Sequence, residues 1–264
     1  MNYSSTLVMQ DFQRNFLESA ALKLKRDTRL SGLLLAGSAL QNKLDEFSDL
    51  DFIVICRDDT LTDVLEEKRS IADSLGKLVA AFTGEHVGEP HLLICLYADP
   101  LLHVDLKFVD ASALDQRVET PMIVWADEPT VERLERGRAQ WPSRDAEWFE
   151  ERFWIWIHYG LTKIGRGELF EAIAMLNFLR EQVIGPLLAR SRAFDQRGVR
   201  RVEKFYPDHV ASLASTLSLH ERSGVLKSYE KMIEIYCDLR DKVSPANQKL
   251  DGEKLVREFL RSLT

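Results

Sequence analysis

The 264-residue sequence has few cysteines and no long apolar stretch, and each scarcity excludes a class of protein. Its three cysteines, Cys56, Cys95 and Cys237, are far apart and form no C-x-x-C pair, so we expect core thiols rather than a structural zinc site. The apolar runs are far shorter than the roughly 20 residues that a membrane-spanning helix needs. The first residues lack the basic start and apolar core of a secretory signal, which predicts a cytoplasmic protein with no membrane partner.

The sequence also lacks an excess of basic charge, because its formal net charge is -7 at pH 7. Since phosphate backbones select basic faces, this balance disfavours an extended nucleic-acid partner. The basic stretch from Arg190 to Lys204 includes the acids Asp195 and Glu203, so we interpret it as a solvated surface. The acidic balance suits a small or cationic partner better.

The amino-terminal half combines short apolar runs with amphipathic segments, which is typical of a mixed α/β domain. Helical spacing of apolar residues predicts a helix over 12–24 and a second over 61–82. Apolar, β-branched runs predict strands at 31–36, 49–56, 91–97, 102–109 and, more weakly, 122–125.

The carboxyl-terminal half shows only helical patterns after a charged segment. Residues 126–145 contain Pro129, Gly137 and Pro142, which predicts a domain linker with a short helix at 130–138. The predicted helices beyond it cover 148–164, 168–189, 208–219, 225–243 and 253–263. The fold class is therefore α+β, with a small mixed β-sheet domain at 1–128 followed by an α-helical bundle domain at 129–264.

Carboxylates interrupt two of the predicted strands. Asp49 and Asp51 open one strand, and because alternate strand residues share a face, their side chains project together. Asp105 lies in an otherwise apolar strand, where a lone buried aspartate is costly unless it is paired or binds metal. If the strands are neighbours, the three carboxylates converge, and Mg²⁺ beside nucleotide phosphates is the usual ion that neutralises such a cluster. An ion pair of Asp105 with Lys107 or an arginine is the structural alternative.

A glycine and a serine, Gly37 and Ser38, follow the first predicted strand. Glycine lets the backbone approach a phosphate closely, while the serine hydroxyl and the following N–H groups donate to phosphate oxygens. Each motif alone is weak, since Gly-Ser is usually a turn and Asp-x-Asp is usually a solvated strand start. Together they predict a triphosphate and two metal ions in one cleft, which is the arrangement for in-line displacement.

Two stretches resemble known families. Residues 33–38 and 47–54, followed by Asp105, resemble the signature of the polymerase-beta-like nucleotidyltransferase superfamily. Residues 163–180 are similar to the bacterial antibiotic nucleotidyltransferases that adenylylate aminoglycosides or lincosamides. This resemblance implies an enzyme that moves a nucleoside monophosphate from a nucleoside triphosphate onto a hydroxyl of a small molecule such as one of these antibiotics. The expected donor is ATP, which transfers AMP. Pyrophosphate is the other product, and antibiotic resistance is the implied role.

The resemblance also assigns roles to residues of the first domain. It implies Asp49 and Asp51 as ligands of two Mg²⁺ ions, and Asp105 as a third metal ligand or as the base that receives the acceptor proton. The resemblance also implies that Gly37, Ser38 and Ser48 contact the nucleotide. The helical domain is expected to complete the acceptor pocket.

Charged residues of the helical domain supply further candidates. Some enzymes of the group use a glutamate from this domain as the general base, which makes Glu168 and Glu171 candidates. Glu168 also stands where a helix amino terminus favours an acid for structural reasons. Lys163 and Arg166 have the charge to contact the triphosphate, although cations near a helix carboxyl terminus are expected on structural grounds alone.

Several alternatives stay open at the level of sequence. The acceptor is a protein side chain or an RNA end in one alternative, and the chain is a non-catalytic nucleotide-binding or toxin–antitoxin module in another. The intact set of three aspartates favours catalysis. The oligomeric state is open between a monomer and a homodimer.

Overall fold

The computed structural model describes residues 8–41, 44–192, 194–243 and 250–264. The start of the chain, on which the expectation about a secretory signal depends, lies largely outside these residues. The chain divides into two compact units, Met1–Gln140 and Trp141–Thr264. Among the described residues, no helix combines the length and apolar character needed to cross a membrane.

A six-stranded mixed sheet forms the centre of the first unit. The described residues of this unit form eight strands, six in this sheet and two in a separate pair: β1 (Leu30–Leu35), β2 (Leu50–Cys56), β3 (Lys77–Gly84), β4 (Glu89–Ala98), β5 (Leu102–Asp110), β6 (Gln116–Arg117), β7 (Met122–Ala126) and β8 (Arg138–Ala139). The order in the main sheet is β3-β4-β5-β2-β1-β7, while β6 and β8 pair separately. Strands β2 and β5 are parallel, and the other neighbours in the main sheet are antiparallel.

The two faces of the sheet differ in how they are covered. Helices α1 (Asp11–Leu24) and α2 (Leu61–Leu75) contribute to the large core on one face, which contains Leu17, Phe52 and Leu106. The opposite face carries a small apolar cluster of Leu34, Ile55, Val109, Leu114 and Leu134. Because side chains alternate along a strand, Asp51 shares this second face with Ile55. Polar side chains can therefore lie on this second face of the sheet without interrupting the main core on the other face.

The second unit is helical, and its elements surround a separate apolar core. They are α4 (Ala146–Gly165), α5 (Leu169–Leu179), α6 (Gly185–Ser191), α7 (Val202–Phe205), α8 (Val210–Ala214), α9 (Arg222–Val243) and α10 (Leu250–Ser262). A π-helical turn at Arg180–Ile184 joins α5 to α6 without a break, so the helix expected at 168–189 is present with one change of hydrogen-bond spacing. The structure confirms the α+β fold class, with a mixed sheet followed by a helical region.

The helix expected over 61–82 is wrong in its second half. Helix α2 ends at Leu75, Gly76 has extended backbone angles, and the next eight residues form β3. The strand pairs with β4 from Lys77↔Ala98 to Gly84↔Glu89. Leu75, Leu78, Val79 and Phe82 have helical spacing, but pairing with β4 outweighs that local preference.

The segment that follows β7 packs with the first unit. Helix α3 (Glu128–Arg136) begins after Asp127, whose side chain accepts a hydrogen bond from the Thr130 N–H. Its Leu134 belongs to the small apolar cluster on the sheet. The sequence expectation assigned these residues to a linker and to the helical domain, whereas the units divide after Gln140.

The cysteines are free thiols. Cys56 and Cys95 lie in the core of the first unit. Burial raises the pKa of both thiols to about 12, so they remain protonated at neutral pH. This matches the expected packing role.

Candidate functional site

Two aspartates stand side by side where β2 and β5 run parallel. Asp51 and Asp105 are partners in the strand register. Neighbouring strands lie roughly 5 Å apart, so paired residues on the same face bring their side chains together. Asp49 precedes β2 by one residue and lies close enough to influence the titration of Asp105. Thus the strand pairing that the sequence left conditional is present.

The Asp105 carboxyl is partly buried and interacts with a histidine. Its Oδ1 lies 3.0 Å from Nε2 of His103. Burial raises the pKa of Asp105 above its usual range, the nearby His103 opposes the rise, and the charge of Asp49 adds to it. Lys107, which the sequence offered as an alternative ion-pair partner of Asp105, instead pairs with Glu89, whose Oε2 lies 2.9 Å from Lys107 Nζ. A raised pKa makes Asp105 a stronger base than an exposed aspartate.

Gly37 follows β1 and approaches Asp51 very closely. Its φ is +64°, and a Cβ placed on it would stand 1.8 Å from Oδ2 of Asp51. Any other residue would meet both the strain of the left-handed backbone region and a clash with the carboxylate. Glycine at this position therefore lets the backbone turn lie directly against an acidic side chain.

Ser38 sits next to Gly37 at the start of a short 3-10 turn, Gly37–Gln41. The serine is only 8% exposed, and its buried Oγ has no hydrogen-bond partner among the described residues. A buried hydroxyl without a partner is costly in a folded protein and is commonly explained by a missing water, ion or ligand. The Ser38 hydroxyl is therefore a donor that a phosphate oxygen could use at this turn.

The loop before Asp49 is held by hydrogen bonds of its own. Ser48 Oγ donates to Asp45 Oδ1 at 2.9 Å, and the Asp45 N–H donates to Ser48 Oγ at 3.0 Å. The fully buried Gln13 of α1 donates from Nε2 to the carbonyl oxygens of Asp45 and Ser48, both at 2.9 Å. The sequence expectation made Ser48 a nucleotide contact, but these bonds give it a role in shaping the loop. Gln13 had no signal in the sequence.

Removing the Gln13 side chain is expected to loosen this loop. Gln13→Ala removes the donor of two partly buried hydrogen bonds to these carbonyl groups, which should lower the free energy of unfolding by about 1–3 kcal/mol. The displaced Asp49 should also weaken binding of a divalent cation. Chemical denaturation and Mn²⁺ binding would measure both effects, with Leu22→Ala at an exposed position of α1 as the control. Unchanged stability and Mn²⁺ affinity would contradict this role.

A cavity of about 430 Å³ opens beside the aspartate pair, entirely within the first unit. Four acids, Asp51, Asp105, Glu89 and Glu119, line it together with two cations, Lys107 and Arg117. The rest of the lining is mainly apolar and includes Leu92, Val109, Leu114, Val118 and Pro121. An apolar cavity with a few charged groups at one end is typical of a small-molecule site.

The acids of this cavity fit Mg²⁺ by their chemistry, although they do not form a complete cage. Within the described parts of the chain, no three His, Cys, Asp or Glu side chains are arranged to hold an ion by themselves. Mg²⁺ usually binds one or two carboxylates and takes its remaining oxygens from water and substrate phosphates. The close pair of Asp51 and Asp105 matches that pattern.

Two cavity residues had no signal in the sequence. Glu119 Oε1 accepts a hydrogen bond from the Gly37 N–H at 2.9 Å. Arg117 donates to the Leu114 carbonyl oxygen at 2.7 Å, while its buried Nε has no partner within the described residues. Both lie far along the chain from Gly37, Arg117 at the end of β6 and Glu119 between β6 and β7, and only the fold brings them to the site.

The charged candidates of the helical unit form a cluster among themselves. Lys163 Nζ lies 2.9 Å from Glu168 Oε2 and 3.0 Å from Glu171 Oε1, and Tyr159 also donates to Glu171. The hydrogen bond from Tyr159, and then that from Lys163, lowers the pKa of Glu171. Arg166 is exposed and caps α4. Lys163 is thus compensated by two carboxylates within its own unit.

Comparisons with known proteins find similarity between this chain and solved structures. No model of a known family matches the chain, and no curated protein matches it. The chain is similar to an aminoglycoside 6-adenyltransferase from Bacillus subtilis, with 15% identity and a TM-score of 0.42 over 94% of this chain and 97% of that one. It is also similar to a nucleotidyltransferase-like protein from Exiguobacterium sibiricum 255-15, with 11% identity and a TM-score of 0.36 over 95% and 87% of the two chains.

Proposed function

We propose that the chain is a Mg²⁺-dependent nucleotidyltransferase that moves a nucleoside monophosphate, AMP from ATP, onto a hydroxyl of a small molecule. One observation carries the proposal. The carboxylates of Asp51 and Asp105 are paired across parallel strands, and Gly37, which Asp51 touches, is followed by the buried, unpartnered hydroxyl of Ser38. An acidic pair next to a phosphate-binding turn is the arrangement that a metal–triphosphate complex requires.

The charge of the cavity supports metal dependence. Its lining contains four carboxylates and two cations, and Lys107 is already paired with Glu89. A triphosphate would be repelled by the remaining acids unless divalent cations accompanied it. Asp49, Asp51 and Asp105 would hold these ions, with phosphate and water oxygens completing their coordination. When bound, Mg²⁺ promotes ionisation of the acceptor hydroxyl and neutralises charge on the leaving pyrophosphate.

The chain's own groups would then bind, align and accept a proton. Gly37 and Ser38 donate to phosphate oxygens, and Arg117 supplies a cation at the cavity wall. The acceptor oxygen attacks the α-phosphorus, a new O–P bond forms, and the bond from the α-phosphorus to pyrophosphate breaks. Asp105 acts either as a third metal ligand or as the base that receives the hydroxyl proton. As the base, it can pass that proton to solvent through His103, whose Nε2 lies 3.0 Å from Asp105 Oδ1.

The acceptor class is proposed from the sequence. Residues 163–180 resemble the antibiotic nucleotidyltransferases, and the net charge of -7 suits a cationic acceptor such as an aminoglycoside. In the helical unit, Glu168 is the candidate for a second base, because within the described residues its carboxylate forms an ion pair with Lys163 alone. Glu171 is bound by both Lys163 and Tyr159 and is less available.

Pyrophosphate release tests the function directly. The protein would be incubated with Mg²⁺, each of ATP, GTP, CTP and UTP, and a panel of aminoglycosides, lincosamides and simple polyols. The proposal expects release that depends on both an acceptor and Mg²⁺, with a matching mass increase of the acceptor by one nucleotidyl group. Label transferred instead to a protein or RNA in cell extract would replace the small-molecule assignment, and binding of ATP without any transfer would refute catalysis.

A further inference from the structure

The carboxylate of Glu119 occupies the anion-binding position of the candidate site. It accepts the Gly37 N–H at 2.9 Å, and this N–H belongs to the turn that the proposed function assigns to a phosphate oxygen. The Asp51 carboxylate lies against the Cα of the same glycine. Two negative side chains therefore meet at one residue, in a cavity that Asp105 and Glu89 make still more acidic.

We propose that Glu119 is an internal competitor of the nucleotide, whose carboxylate must leave the Gly37 N–H before the triphosphate can bind. The inference rests on the proposed function, and it adds a residue that sets nucleotide affinity. One N–H group cannot donate a full hydrogen bond to a carboxylate and to a phosphate at the same time. Like charges at this distance also repel each other, so occupancy by one anion excludes the other.

The position of Glu119 on the chain makes such an exchange feasible. It lies between β6 and β7, and its neighbours Val118 and Thr120 are exposed. Surface connections of this kind can shift without disturbing a core. Two residues earlier, Arg117 has a buried Nε with no hydrogen-bond partner within the described residues, which offers the displaced carboxylate a donor.

The expected effect on affinity follows from population arithmetic. If the Glu119 carboxylate is bound to the Gly37 N–H in about 90% of molecules, only about one molecule in ten is ready to bind nucleotide. The apparent affinity for the nucleotide then falls about tenfold. Glu119→Gln keeps the size of the side chain and an acceptor oxygen but removes the charge. It should therefore bind the triphosphate about tenfold more tightly, and Glu119→Ala, which removes the acceptor as well, should do at least the same.

Calorimetric titration with α,β-methylene-ATP and Mg²⁺ tests the exchange without turnover, because this analogue cannot release pyrophosphate. The control is Glu135→Gln, which removes one negative charge from an exposed position of α3. Tighter binding by both Glu119 variants, with Glu135→Gln equal to the unmodified protein, is the expected result. Unchanged or weaker binding by the Glu119 variants would overturn the inference while leaving the proposed function standing. Absence of binding in all four proteins would contradict the inference and the proposed function together.

Discussion

Asp51→Asn should lower kcat/KM for nucleotidyl transfer about 1,000-fold or more, because a metal ion contributes several kcal/mol to such a transition state and each 1.36 kcal/mol is a factor of ten. The substitution keeps the shape of the side chain against Gly37 but removes the charge that would hold the cation. Its partner Asp105 alone cannot replace that charge. The measurement is steady-state pyrophosphate release over a range of Mg²⁺ concentrations.

The control for this variant is Asp73→Asn, an exposed aspartate on α2 in the same unit. It should retain full activity. Thermal unfolding of Asp51→Asn should match that of the unmodified protein, which would separate lost chemistry from lost structure. Activity of Asp51→Asn within tenfold of the unmodified protein would remove Asp51 from the metal site.

Glu150→Ala should destabilise the helical unit by about 3–5 kcal/mol, since removing one partner of a buried ionic network leaves the others uncompensated. Glu150 is 4% exposed on α4 and accepts hydrogen bonds from Trp154 Nε1 at 3.0 Å and from the Tyr236 hydroxyl. Arg240 Nη1 lies 3.5 Å from its Oε1 and 2.9 Å from Glu253 Oε2. The network joins α4, α9 and α10.

Urea unfolding followed by tryptophan fluorescence measures this loss. The neighbouring Glu151→Ala is a matched control, because Glu151 pairs with Arg152 at a side-chain exposure of 47% and should cost about 1 kcal/mol or less. A loss below about 1 kcal/mol for Glu150→Ala would show that the buried network contributes little, as some buried ion pairs do.

The sequence predicted the elements of the first unit that carry strong local patterns. Asp51 could be predicted as a candidate because it opens an apolar strand together with Asp49, and Asp105 because it interrupts one. Strand β3 could not, because its apolar residues continue the helical spacing of α2 and its partner β4 is distant in the sequence. A strand at the edge of a sheet, with Val79 and Phe82 exposed, also lacks the alternating pattern that marks a half-buried strand.

The residues that support the site were harder to find for a physical reason. Gln13 and Glu119 act through hydrogen bonds to the backbone of segments far away in the sequence. An isolated glutamine or glutamate of this kind has no periodicity or spacing that distinguishes it from a solvated side chain. For Ser48, its place beside Asp49 predicts a nucleotide contact, and no signal in the sequence indicated the hydrogen bond that its hydroxyl donates to Asp45.

A crystal structure with Mn²⁺ and α,β-methylene-ATP would test the central claim most directly. Manganese replaces Mg²⁺ at oxygen sites and is located by its anomalous scattering. We expect a manganese peak within coordination distance of the carboxylates of Asp51 and Asp105, with phosphate oxygens at the N–H of Gly37 and the hydroxyl of Ser38. Nucleotide bound elsewhere, or manganese absent from the two aspartates in the presence of bound nucleotide, would contradict the account.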